Sequence, residues 1–298
     1  MKFELDKQTK NDLEIFNNED GSIFSYYDMT KTKGGKNCLY EIMNNPLTDI
    51  SEIKNRSALI KFFHSSDFEL AISYNQLEYI EHYLKLGTNS LNDNIFSSLI
   101  NHLSYKIRPS NNYYLISKGI EQLVLLLKEL NKKLKENLKN IPELLKKEIQ
   151  TIDNLIKNPL LIKYINSSKE LKYNDLNKLD AFFRKIYLKE LKKLIQSIYN
   201  LDAYISVADT AKKNNLTFPV YTESEKPQLN VIGLFHPLLK KAKSYDFEID
   251  QESNMFFLTG PNMAGKSTFL KSIGLSVFIS HLGFPVPASK MTTSIYNG

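Results

Sequence analysis

The sequence contains a single cysteine, Cys38, and no tryptophan in 298 residues. One thiol excludes a disulfide framework and any zinc site built from several cysteines. Arginine is almost missing as well. Arg56, Arg108 and Arg184 are the only ones among 39 basic residues, and the others are lysine. Arginine supplies the planar fork that reads guanine edges, whereas lysine is a flexible point charge, so contact with DNA is expected mainly at its backbone. Long apolar runs are lacking too. Leu123–Leu127 stops at Lys128, far below the ~20 residues of a membrane span. Met1–Lys10 alternates charged and apolar positions, unlike a signal peptide. These absences predict a cytoplasmic protein without a membrane partner.

Glycine is scarce and unevenly placed. Five of eleven (Gly260, Gly265, Gly274, Gly283 and Gly298) fall in the last 39 residues, and Gly119 alone lies between Gly87 and Gly233. A stretch nearly free of glycine and rich in Leu, Lys, Ile and Glu reads as helix. Ile120, Leu123, Leu127, Leu130, Leu134 and Leu138 keep three-and-four spacing, which puts them on one helical face. Asn140, Pro142 and Glu143 suit a helix restart, with asparagine as the cap and proline in the first turn. A further apolar pattern runs from Leu176 to Ala211, and as one helix it would span on the order of 50 Å.

Beyond Asn214-Asn215 the pattern changes to short β-prone runs: Phe218–Tyr221, Leu229–Ile232 and Met255–Thr259. The expected division is therefore a mainly helical domain at 1–215 and the start of an α/β domain at 216–298. Two domains also suit the length at ~150 residues each. Hydrophobic residues at 42% and charged residues at 24% exclude fibrous and disordered classes, and the net charge of +6 favours an anionic partner.

One segment carries recognisable chemistry. Gly260-Pro261-Asn262-Met263-Ala264-Gly265-Lys266-Ser267 meets every fixed position of the phosphate-binding P-loop. Glycines let backbone N–H groups turn toward phosphate oxygens, and the positive end of the following helix faces the same anion. Lys266 would neutralise the β- and γ-phosphates, the Ser267 hydroxyl would ligate Mg²⁺, and Thr268 would add a bond to the α-phosphate. A buried strand before the loop and a helix after it, through Leu270, Ile273, Val277 and His281, are expected. From Ser253 to Gly298 there is no Asp or Glu, so the carboxylate that a P-loop hydrolase uses to hold Mg²⁺ is expected beyond Gly298, in a chain that reads as truncated. Whether it hydrolyses ATP, and by which catalytic residues, stays open. The four histidines other than His236 are scattered and suggest no metal cluster.

Thr259–Thr268 resembles the nucleotide-binding loop of the MutS family of DNA mismatch repair ATPases, and Gly283-Phe284-Pro285-Val286-Pro287-Ala288 is similar to that family's segment after the loop helix. Leu201–Ala208 resembles the helix joining the levers to the ATPase. His236-Pro237 matches a family signature, with Phe235 where arginine is usual. Leu13-Glu14-Ile15, Gly21–Phe24, Asp28–Gly35 and Asn45-Pro46-Leu47 resemble the start of the core domain, with Lys36 in place of an arginine. The stretch from about 70 to 195 resembles the family only in helical character.

The resemblance implies a helical core and lever domain followed by an ABC-type P-loop ATPase domain, here incomplete. It implies that Gly260, Pro261, Asn262, Met263, Ala264, Gly265, Lys266, Ser267 and Thr268 bind ATP or ADP with Mg²⁺, Asn262 near the γ-phosphate. Tyr245, in the segment similar to the adenine-contacting loop (Lys243–Phe247), would stack on the base, and His236 is expected to be a structural turn residue. DNA, mismatched or branched, and a second copy of the chain are the partners implied. The mismatch-reading and connector domains would be missing and the DNA clamp reduced. The alternatives are a non-hydrolysing nucleotide-binding interaction protein and another ABC-type DNA-maintenance ATPase.

Overall fold

A computed structural model describes residues 3–16, 21–66, 68–70, 72–87, 111–134, 141–224 and 226–297. The helices are α1 (Lys7–Asp12), α2 (Ile23–Tyr27), α3 (Lys33–Asn44), α4 (Ile50–Ser65), α5 (Tyr74–Lys85), α6 (Asn111–Leu134), α7 (Glu143–Ile156), α8 (Pro159–Ile165), α9 (Tyr173–Ala181), α10 (Leu188–Asn214) and α11 (Lys266–His281). The strands are β1 (Val220–Tyr221), β2 (Leu229–Leu234), β3 (Tyr245–Ile249) and β4 (Lys290–Thr293).

Helix α10 is the axis. Fifteen of its residues are buried, and polar ones among them fasten the N-terminal segment to it. The Asp202 carboxylate accepts from Lys31 N–H (3.0 Å), Thr32 N–H (2.9 Å) and the Thr32 hydroxyl (2.7 Å). Thr32 Oγ1 in turn accepts from Gly35 N–H at 2.9 Å and so caps α3. The approach is close: a Cβ at Gly35 would lie 2.1 Å from Asp202 Oδ2, and one at Gly34 would lie 2.4 Å from the Tyr199 ring. Only glycine fits at these two positions. One turn along α10, the Ser206 hydroxyl donates to Tyr27 C=O (2.7 Å) and accepts from Met29 N–H (2.6 Å).

The single helix expected over 176–211 is broken. Residues Phe182–Ile186 form one π turn, closed by Tyr187 N–H donating to Phe182 C=O at 3.0 Å. Tertiary partners hold the break. Arg184 donates from Nε and Nη2 to the two Asp180 oxygens at 2.7 Å each, and the Tyr83 hydroxyl donates to Asp180 Oδ1 at 2.8 Å. The Tyr187 ring stacks on Phe182 at 4.4 Å. The Arg184 and Asp180 side chains are 6% and 0% exposed. Helix α7 restarts at Glu143 with Pro142 itself at the cap and no side-chain cap bond; Asn140 and Leu138 lie outside the described residues.

The strands form a four-stranded mixed sheet ordered β1-β4-β2-β3. β1 runs parallel to β4, and β2 is antiparallel to both β4 and β3. Helix α10 stops at Asn215, which takes a left-handed conformation. One apolar core joins the two halves, running from Phe3 through α2–α10 to Leu275, Phe278 and Ile279 of α11 and Met291 of β4.

Removing one member of a buried ion pair strands the other without compensation. Arg184→Ala is therefore expected to lower stability by about 3–5 kcal/mol, and Asp202→Ala by about 2–4 kcal/mol through its orphaned donors. Urea unfolding checks both.

Candidate functional site

The loop from Gly260 to Gly265 leads straight into α11, whose first residue is Lys266. Its backbone needs three positive φ angles: Gly260 at 153°, Met263 at 66° and Gly265 at 89°. Gly265 serves as the helix cap in a left-handed conformation, with no side-chain cap bond and no acidic residue in the first turn. The first-turn amides and the helix dipole thus present uncompensated positive character. Lys266 Nζ folds back onto the loop and donates to Gly260 C=O (2.5 Å) and Pro261 C=O (2.8 Å). Pro261, Asn262, Met263, Ala264 and Ser267 are exposed, and Lys266 and Thr268 are partly so. The chain's own residues therefore bring together turned glycines, an uncapped helix start, one ammonium and two hydroxyls. That donor set suits a polyphosphate, with Ser267 available to Mg²⁺.

The segment before the loop differs from the expectation. Met255–Leu258 forms no strand, and Met255 and Phe257 are 78% and 90% exposed. A strand needs a neighbouring ladder, and the sheet order places β1 and β3 at its edges without this run. Only Phe256 finds aromatic company, with Phe247 at 5.2 Å and Phe269 at 6.4 Å between ring centroids. Tyr245 opens strand β3 rather than standing in a loop, and its ring meets Phe269 edge-on at 5.4 Å. Phe269 belongs to the first turn and a half of α11, so Tyr245 lies beside the loop helix. The alternation Tyr-Asp-Phe-Glu-Ile is the period-two signal that marks β3 in the sequence.

The far end of α11 is bound to the N-terminal helices. His281 Nδ1 lies 2.6 Å from Leu47 C=O, and Tyr296 N–H donates to His281 Nε2 at 3.1 Å. A carbonyl only accepts and an amide only donates, so the ring is the neutral tautomer with its proton on Nδ1. Arg56 Nη1 donates to Leu282 C=O at 3.1 Å, and the Tyr27 hydroxyl to Pro285 C=O at 2.6 Å. His236 sits buried at the turn after β2, where burial pushes its pKa down. What the sequence did not reveal is the fastening role of His281 and Arg56, and of Asp202 within Leu201–Ala208, because their partners are remote in the chain.

A cleft of about 540 Å³ between α3, α5 and α10 is lined by Asn37, Cys38, Glu41, Gln196, Tyr199 and Asn200 among others. It contains no residue of the loop. Among the described residues no group of three or more His, Cys, Asp or Glu is placed to hold a metal ion, and no helix is long and apolar enough to cross a membrane.

Burial holds the His281 pKa below its ordinary value, against the opposing Leu47 carbonyl. The unfolded chain then binds the proton more readily. The stabilisation is fully present above the ordinary histidine value of about 6.5 and is lost as pH falls below it. Thermal midpoints are expected to drop between about pH 7.5 and 5.5, and less steeply in His281→Gln.

Comparison with known proteins places these features in a family. The family model for MutS domain III matches residues 8–208 and that for MutS domain V matches residues 256–298. The bounds of the first match enclose the stretch that resembled the family only in helical character. Among curated relatives, the DNA mismatch repair protein MutS of Lactobacillus johnsonii is 33% identical over 144 residues, covering 46% of this chain and 17% of that protein. That of Listeria innocua is 33% identical over 147 residues, or 47% and 17% of the two chains. That of Lactobacillus helveticus is 30% identical over 169 residues, or 55% and 19%. The matched part thus spans less than a fifth of the length of these relatives.

Proposed function

The chain belongs to the MutS family, and on that premise we propose that it acts in DNA mismatch repair, binding ATP or ADP with Mg²⁺ through Gly260–Thr268 and passing nucleotide state into a DNA-engaging helical core. The observation that supports this reading best is the turned loop on an uncapped helix start, with Lys266 as its ammonium. Lys266 would exchange its two loop carbonyls for phosphate oxygens, a stronger charge-assisted contact. Ser267 would hold Mg²⁺, which supplies charge neutralisation between the phosphates. Asn262 and Thr268 border the same site, and Tyr245, beside Phe269 at the start of α11, would stack on the base.

Lysine outnumbers arginine by thirty-six to three, which suits backbone contact with DNA rather than base reading. A homodimer in the cytoplasm completes the proposal.

Titration of a fluorescent ATP analogue with Mg²⁺ tests the site. Wild type is expected to bind, and Lys266→Ala to bind at least ~tenfold more weakly, about 1.4 kcal/mol. Equal affinity in the two chains, or none in wild type, overturns the nucleotide reading.

A further inference from the structure

Helix α1 ends in a turn of the kind that glycine normally makes. Ile15 N–H donates to Lys10 C=O at 3.1 Å and Glu14 N–H to Asn11 C=O at 2.9 Å. In this paired pattern the residue between the two bonds is left-handed and usually glycine, because a Cβ is strained there. Here it is Glu14, with φ at 56°. A strained side chain persists where its surroundings over-determine it; here Ile23 N–H holds the Glu14 carbonyl at 2.9 Å, and the loop helix holds its side chain. Glu14 Oε1 accepts from Lys271 Nζ at 3.0 Å, the two side chains being only 28% and 32% exposed. Its neighbour Leu13 lies against Gly274, where a Cβ would come within 3.3 Å of Leu13 Cδ2.

The spacing on α11 gives this contact its direction. Lys271 and Gly274 stand four and seven residues beyond Ser267, so all three share one helical face. Leu13 and Glu14 occupy the lower two positions of that face, and the uppermost presents the hydroxyl expected to meet Mg²⁺. His236 closes the cluster from the turn after β2. It is buried, and the charges of Glu14 and Lys271 both act on it. A solvent-exposed ion pair contributes little and would not account for a glutamate kept where glycine is easier. A contact between the helical core and the Ser267 face of the loop helix does account for it.

We infer that Glu14 is a positioning residue for the phosphate loop: its pairing with Lys271 ties the Ser267 face of α11 to the helical core. The functional consequence rests on the nucleotide-binding reading, whereas the structural tie does not.

Glu14→Gly separates the two roles of this side chain, because it relieves the backbone strain while removing the pair. Hydrogen exchange in the nucleotide-free full chain reads the tie directly. Amides of residues 267–274 are expected to exchange about fivefold faster in Glu14→Gly while its thermal midpoint holds or rises. Unchanged or slower exchange there overturns the inference. The fluorescent ATP analogue with Mg²⁺ reads the consequence: affinity is expected to fall about fivefold in Glu14→Gly and Glu14→Gln. Glu14→Asp and the exchanged pair Glu14→Lys/Lys271→Glu are expected to recover part of it. Failure of the exchanged pair to recover any affinity while both single changes weaken binding contradicts the ion pair as the cause. If wild type binds no nucleotide, the nucleotide reading fails, and the exchange result still decides the tie.

Discussion

The buried Asp202 carboxylate is the constraint on which the arrangement depends. A carboxylate taken from water must find donors, and the nearest are the Lys31 and Thr32 amides and the Thr32 hydroxyl. Meeting them draws the N-terminal segment onto α10 at a separation that admits no side chain at Gly34 or Gly35. That segment also carries Glu14 and Leu47, which bond to the loop helix, and Tyr27 and Arg56, which bond to the turn after it. The loop helix is thereby linked to α10 through the N-terminal segment.

This order of dependence explains how a helix with so little sheet beside it stays placed. Helix α11 buries Leu275, Phe278 and Ile279 in the common core, and Ser280 and His281 are fully enclosed. Its last turn is fixed by His281 and Arg56, and its second turn by Glu14. The first turn has no side-chain cap, and a helix N-terminus is the end that attracts an anion. Rigidity at one end and exposed positive character at the other are complementary properties of one helix.

The parts legible in the sequence were those whose physics is local. Glycine spacing announced the loop, and three-and-four periodicity announced α11 and the buried face of α6. The domain III and V matches agree with the residues that carried the resemblance at both ends. The break at Phe182–Ile186 was not legible, because apolar spacing continues through it and the cause is Asp180 meeting both Arg184 and the distant Tyr83. Met255–Leu258 misled for a related reason: its composition suits a strand, but a strand exists only with a partner ladder. Asp202 and Thr32 both lay in segments quoted for their resemblance, yet their contact spans 170 residues and has no signature in either segment.

The central claim is that the loop helix and the helical core form one cooperative body. The absence of tryptophan provides a clean probe, since Phe269→Trp reports the start of α11 and the β3 rings it meets, while far-UV circular dichroism reports mostly the core helices. Urea unfolding followed by both signals measures the coupling. The account predicts coincident midpoints and slopes. A tryptophan transition at lower urea, with the helical signal intact, would show that the loop helix opens on its own and would contradict the claim.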